Sequence, residues 1–306
     1  MTFSLVTFRA DGEVALGALV QPAAVDRSEA APGGAGTVVA PPELKRWATM
    51  LDLLDDWTST AAAVVAALDL GDAPPVAGAE VLAPIHWPRK VLCAGINYRR
   101  HIREMGGAEP DRTWRPFFFM KPPTTSVIGP ADPIVMHDAV AARYDWEAEL
   151  AVIIGAGGRD IPPARARAHI AGYAVANDIT ARGHHKRTGV PIDAFVYDWF
   201  ASKAIDGSLP LGPGITPAFA VDDPQDLRLR LWVNGELQQD ESTADMICGV
   251  DELVSAASAI VTLEPGDVIC TGTPAGVGAG RGRRLHPGDM VRVAVDGLGE
   301  INNRVM

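Results

Sequence analysis

Apolar and polar residues alternate over short stretches along most of this chain, and runs at helical spacing are few. Residues 4–9 and 13–20 read as strands joined across Asp11-Gly12, a strong short-range hairpin signal. Leu44, Trp47, Ala48, Leu51 and Leu54 then recur at helical spacing, and residues 60–70 predict a second short helix. A stretch rich in Gly, Pro and Ala at residues 71–78 reads as a linker. It divides the chain into a small N-terminal unit, residues 1–75, and one large domain, residues 76–306. In the large domain Asn234-Gly235 and Asp296-Gly297 sit between alternating runs and predict antiparallel hairpins, unlike regular βαβ alternation. Short helices are expected at residues 97–105, 162–170 and 250–261. The pattern predicts an α+β fold, strand-rich and mixed, built around a closed or rolled sheet.

Composition narrows the class. The 306 residues are 47% hydrophobic and 21% charged, which is globular and excludes a disordered chain. Thirty-one glycines and 24 prolines imply many tight turns. A net charge of −11 argues against nucleic acid, because phosphate contacts need clustered Lys and Arg. No apolar run approaches the ~20 residues that span a bilayer, and the N-terminus lacks the pattern of a signal peptide. Three cysteines without CxxC spacing fit a reducing cytosol better than a disulfide framework. A cytoplasmic protein with no nucleic-acid or membrane partner is expected.

The most informative segment is Tyr144-Asp145-Trp146-Glu147-Ala148-Glu149-Leu150-Ala151-Val152-Ile153-Ile154. As one strand it places Asp145, Glu147 and Glu149 on a single face. Two glutamates at i and i+2 lie ~7 Å apart along a strand, close enough to converge on one ion. A solvated acidic face is the plain alternative, but the run ends in apolar LAVII and so heads into a core. Asp178 closes another apolar strand, where it reads either as a helix N-cap or as a third ligand. Three oxygen ligands favour a hard cation such as Mg²⁺, Mn²⁺ or Ca²⁺ over zinc.

A second group follows Gly95. Asn97 stands where a helix N-cap would, and His101 and Glu104 are three apart, so they can meet on one turn. A carboxylate on one imidazole nitrogen raises basicity at the other; without further context the same residues describe a decorated surface helix. Lys203 is either a buried cation facing the carboxylates or a rim lysine paired with Asp206. The segment Gly272-Thr273-Pro274-Ala275-Gly276-Val277-Gly278 offers backbone N–H groups and a hydroxyl able to hold a carboxylate. It lacks the GK[ST] ending of a P-loop, and neither a GxSxG elbow nor an HExxH pair is present.

Together these segments resemble the fumarylacetoacetate hydrolase family from Val91 to the C-terminus, with about six motifs in the family's order. The resemblance implies a β-roll catalytic domain preceded by a small α+β domain, and a homodimer. It assigns Glu147, Glu149 and Asp178 to a Mg²⁺ or similar ion, His101 and Glu104 to a water-activating dyad on a lid helix, and Lys203 to catalysis. Thr273, with Arg182 and Gly272, is expected to bind the substrate. The implied activity is hydrolytic C–C cleavage of an acylpyruvate or related β-diketo acid. Hydratase, isomerase, tautomerase or decarboxylase chemistry on a 2-oxo acid is the alternative. Where many members carry a bulky polar residue and Gln, this chain has Gly183-His184-His185, so the loop over residues 183–199 is expected to select the substrate.

Overall fold

In the computed structural model the described residues are 2–21, 36–108, 110–111, 114–137 and 143–306. The fold is strand-rich α+β. Nine strands run across the main sheet in the order Thr37–Val39, Glu13–Val20, Phe3–Ala10, Leu209–Pro217, Ile170–Asn177, Ala148–Ile154, Val268–Cys270, Val91–Gly95 and Phe117–Lys121. Glu80–Val81 and Val127–Ile128 add to it at the sides. The N-terminal hairpin, paired from Phe3↔Val20 to Ala10↔Glu13, is continuous with this sheet through Leu5↔Ile215. A second, antiparallel sheet holds Glu236–Ser242, Arg228–Val233, Met290–Val295 and Gly299–Arg304, with Asn234-Gly235 and Asp296-Gly297 at its turns.

Alternation on the central strands makes two cores. Leu150, Val152 and Ile154 face one side, with Tyr173, Ile269 and the inner residues Leu229, Leu231, Val291 and Val293 of the second sheet. Ala151 and Ile153 face the other, against Leu44, Trp47, Leu53, Leu54 and Trp57. A strand buried on both faces reads as a continuous apolar run, which is why LAVII shows no alternation.

Three expectations change in detail. The helical spacing from Leu44 is split between a 3-10 turn, Pro42–Arg46, and a helix, Met50–Asp55, capped by Thr49. The helix expected at residues 60–70 is a π turn, Trp57–Ala61, running into Ala62–Ala66. Pro163–His169 is 3-10 rather than α, opening on Pro162-Pro163. The helix Val250–Ile260 forms as expected, with Glu252 accepting the Gly249 N–H at 2.9 Å. No helix among the described residues is long and apolar enough to cross a membrane. Cys93, Cys248 and Cys270 are free and buried.

Candidate active site

The acidic segment is not one continuous strand. It breaks between Tyr144–Asp145 and Ala148–Ile154, because side chains take the amides a ladder would use. Trp146 N–H donates to Asp145 Oδ1 at 2.9 Å and Glu147 N–H to Asn177 Oδ1 at 3.0 Å. The register Ala176↔Glu149 and Asn177↔Ala148 then sets Asp178 beside Glu147, whose carbonyl accepts the Asp178 N–H at 2.9 Å. One carboxylate oxygen from each of Glu147, Glu149 and Asp178 falls within 4.8 Å of the others, all three residues buried. Asp178 caps no helix. Asp145 turns aside and accepts the Gly278 and Ala279 N–H groups at 2.7 and 3.0 Å.

Three cations answer these carboxylates. Lys203 Nζ lies 2.7 Å from both Glu147 Oε2 and Asp178 Oδ2, so it faces the acids rather than pairing with Asp206. Arg182 bridges Asp145 at 2.8 Å and Glu147 at 2.6 Å. Lys121, which the sequence reading missed, is fully buried with its Nζ 2.7 Å from Asp178 Oδ1. It also donates to the carbonyls of Ile179 and Lys203 at 3.0 and 2.7 Å. Its only signal was a lone lysine closing the apolar strand Phe117–Lys121.

With Asp145, Glu147, Glu149 and Asp178 set against these cations, one carboxylate is in excess. Burial alone would raise Glu147, yet Lys203 and Arg182 outweigh it and hold its pKa at about 2. Glu149 takes the opposite course: burial first, then Asp178, push it well above the carboxylate range. Burial works against the charge on Lys203, but Asp178 and Glu147 raise its pKa above the ordinary value. A compact, oxygen-only donor set in which burial pushes one carboxyl toward its neutral form fits a hard divalent cation, whose charge would let Glu149 ionise.

The helix Arg99–Glu104 closes over this group. His101 Nδ1 is 3.2 Å from Glu104 Oε2, and both Glu104 oxygens accept the Gly276 N–H at 3.0 Å. Burial raises the Glu104 carboxyl, while His101 and the Gly276 amide pull it below its usual value. Gly276 sits at φ 107° with the Gln238 carbonyl where a Cβ would stand, so only glycine brings its amide here. Asn97 does not cap the helix. Its Nδ2 donates to the carbonyls of Cys248 and Thr271 and its Oδ1 accepts the Cys248 N–H, each at 2.9 Å, which ties the helix base to the sheet.

A narrow cleft of about 40 Å³ lies between these groups. His101, Glu147, Glu149, Arg182, Lys203 and Thr273 reach it, walled by Ile96, Phe119 and Trp199. Gly272 differs from expectation: its N–H is engaged by Glu149 Oε2 at 2.7 Å. Within the 183–199 loop, His185 meets the Trp199 ring edge-on at 4.4 Å. Burial, then Arg182, lower the His185 pKa and favour the neutral ring.

Residues 90–306 match the fumarylacetoacetate (FAA) hydrolase C-terminal family. The chain belongs to the fumarylacetoacetate hydrolase family. Among family relatives, it is 39% identical to the oxaloacetate tautomerase YisK of Bacillus subtilis over 226 residues, 73% of this chain and 72% of that one. A fumarylacetoacetate hydrolase structure from psychrophilic Exiguobacterium antarcticum superposes with a TM-score of 0.80 at 34% identity, covering 99% of both chains. The fumarylpyruvate hydrolase of Pseudomonas aeruginosa, solved with Mn²⁺ and pyruvate, gives 0.63 at 35% identity, over 74% of this chain and 91% of that one.

Proposed function

We propose that this family member is a divalent-metal enzyme that moves a proton between carbon 3 and the oxo oxygen of a short 2-oxo acid, oxaloacetate being the model substrate. The observation that carries the reading is one small cleft that Glu147, Glu149, His101 and Lys203 all line, with Asp178 held behind it against Lys203 and Glu104 behind His101. Mg²⁺, Mn²⁺ or Ca²⁺ held by Glu147, Glu149 and Asp178 would supply Lewis acidity toward the carboxylate and oxo oxygens. Glu104 occupies Nδ1 of His101, leaving Nε2 as the proton acceptor. Lys203 offsets negative charge developing on the oxo oxygen. Thr273 and Arg182 receive the substrate carboxylate, and the 183–199 loop sets which side chain fits. The likeness to an oxaloacetate tautomerase supports this reaction.

Hydrolytic C–C cleavage of an acylpyruvate is the second reading. It is favoured by a His–Glu pair suited to activating water, and by the likeness to a fumarylpyruvate hydrolase that binds Mn²⁺ and pyruvate. One product assay separates the two. Mn²⁺-loaded protein is given enol oxaloacetate and, separately, short acylpyruvates. Faster ketonisation with the carbon chain intact supports tautomerisation, while pyruvate plus a free acid from the acylpyruvates supports cleavage. No turnover of any of them, or full activity in His101→Ala, overturns both.

The same reading takes the chain as a cytosolic homodimer. Ile192, Phe195, Tyr197 and the 73%-exposed Phe200, close together in the sequence, are large apolar side chains that self-association would cover. A monomer mass by light scattering would refute it.

A further inference from the structure

Gln239 lies on the strand Glu236–Ser242 of the second sheet and is 1% exposed. One end of its amide meets the N–H of Ala148, the residue between Glu147 and Glu149, at 2.9 Å. The other end meets the Pro274 carbonyl at 2.8 Å and Thr273 Oγ1 at 2.9 Å. An N–H only donates and a carbonyl only accepts, so the amide has a single orientation, with Oε1 toward Ala148 and Nε2 toward Pro274. Nε2 therefore donates to the Thr273 hydroxyl oxygen, and the hydroxyl hydrogen must turn away from Gln239. Thr273 lines the cleft, and among the described residues no acceptor takes that hydrogen.

We propose that Gln239 is a positioning residue that turns the Thr273 hydroxyl hydrogen toward the cleft, so that this subsite favours an accepting anionic oxygen, the carboxylate of the ligand. The inference rests on the cleft being a 2-oxo acid site. It adds a polarity that an isolated threonine lacks, since a free hydroxyl donates or accepts as its surroundings require. It also ties the subsite to the metal-binding strand, because the same amide holds the backbone between the two glutamates.

The test measures oxalate binding by calorimetry to the full chain at saturating Mn²⁺. In Gln239→Glu one carboxyl oxygen still accepts the Ala148 N–H, while the other, protonated so that it donates to the Pro274 carbonyl, accepts the Thr273 hydroxyl and draws its hydrogen inward. Oxalate affinity should fall roughly ten- to a hundredfold, the effect of losing one hydrogen bond to a charged group. Thr273→Val should lose the same, the double variant no more than either single one, and Thr273→Ser should keep affinity within about threefold. Should Gln239→Glu not fold, Gln239→Met replaces it, with a severalfold loss expected in the native background and a clearly smaller one beside Thr273→Val, where only the lost Ala148 contact remains. Losses that add in the double variant, or unchanged affinity in Gln239→Glu, overturn the role of Gln239 alone. Native protein that binds Mn²⁺ but no oxalate overturns the 2-oxo acid reading, and this inference with it.

Discussion

Glu149→Gln separates ion binding from folding more cleanly than any other change at this site. Burial and the neighbouring Asp178 push the Glu149 pKa up, which favours its protonated form when no metal is bound. Glutamine is nearly isosteric with that form, and its carbonyl can still accept the Gly272 N–H that Oε2 accepts at 2.7 Å. The metal-free variant should therefore stay within about 1 kcal/mol of the native protein. With ion present the two part company. At a Mn²⁺ concentration 100-fold above Kd, the native protein gains about 2.7 kcal/mol, or roughly 4 °C in Tm for a chain of this size. Loss of one ligand should weaken binding by about 100-fold, the upper end of the ~10–100-fold seen when supporting partners are removed. The same Mn²⁺ concentration then sits near the new Kd, and the gain shrinks to about 0.4 kcal/mol, or ~0.6 °C. Scanning calorimetry with and without Mn²⁺ measures both numbers. A variant that keeps the full metal-induced shift, or one whose metal-free form melts several degrees lower, would refute the reasoning.

The raised Glu149 pKa also sets a pH dependence. A folded carboxyl that keeps a proton the unfolded chain has already lost makes metal-free stability decline as pH climbs above the ordinary value of 4.5. Ion uptake expels that proton, so Mn²⁺ affinity should increase with pH across the same window, and calorimetry in buffers of different ionisation enthalpy should record proton release. Lys203→Met removes a cation that meets both Glu147 and Asp178 at 2.7 Å and leaves them Arg182 and Lys121; the metal-free protein should lose up to about 3 kcal/mol in denaturant unfolding, with part of the loss recovered on adding Mn²⁺. His101→Gln should lower kcat about 10²–10⁴-fold while leaving the Mn²⁺-induced Tm shift intact; loss of that shift would place His101 on the ion instead. A Cβ at Gly280 would stand 2.6 Å from Glu104 Cγ and 2.7 Å from its Cδ. Gly280→Ala should thus displace Glu104 and cut kcat about tenfold or more, with Tm little changed.

What the amino-acid order determined by itself is local. Period-two alternation and Asn-Gly or Asp-Gly turns mark the strands, because side-chain facing in a strand depends only on neighbouring positions. The i, i+2 spacing of Glu147 and Glu149, and the i, i+3 spacing of His101 and Glu104, are likewise short-range geometry and recognisable as motifs. Tertiary structure decided the partners. Lys203 chose Glu147 and Asp178, 56 and 25 positions away, over nearby Asp206, because strand register carried those acids to it. Lys121 and Gln239 carry no spacing signal; they matter because one strand ends under Asp178 and another sheet folds its amide against the Ala148 N–H, 91 positions distant. Asn97 had the look of a cap and became a tether for the same reason. The backbone groups it could satisfy locally lost to buried ones at Thr271 and Cys248, where an unmet hydrogen bond costs most.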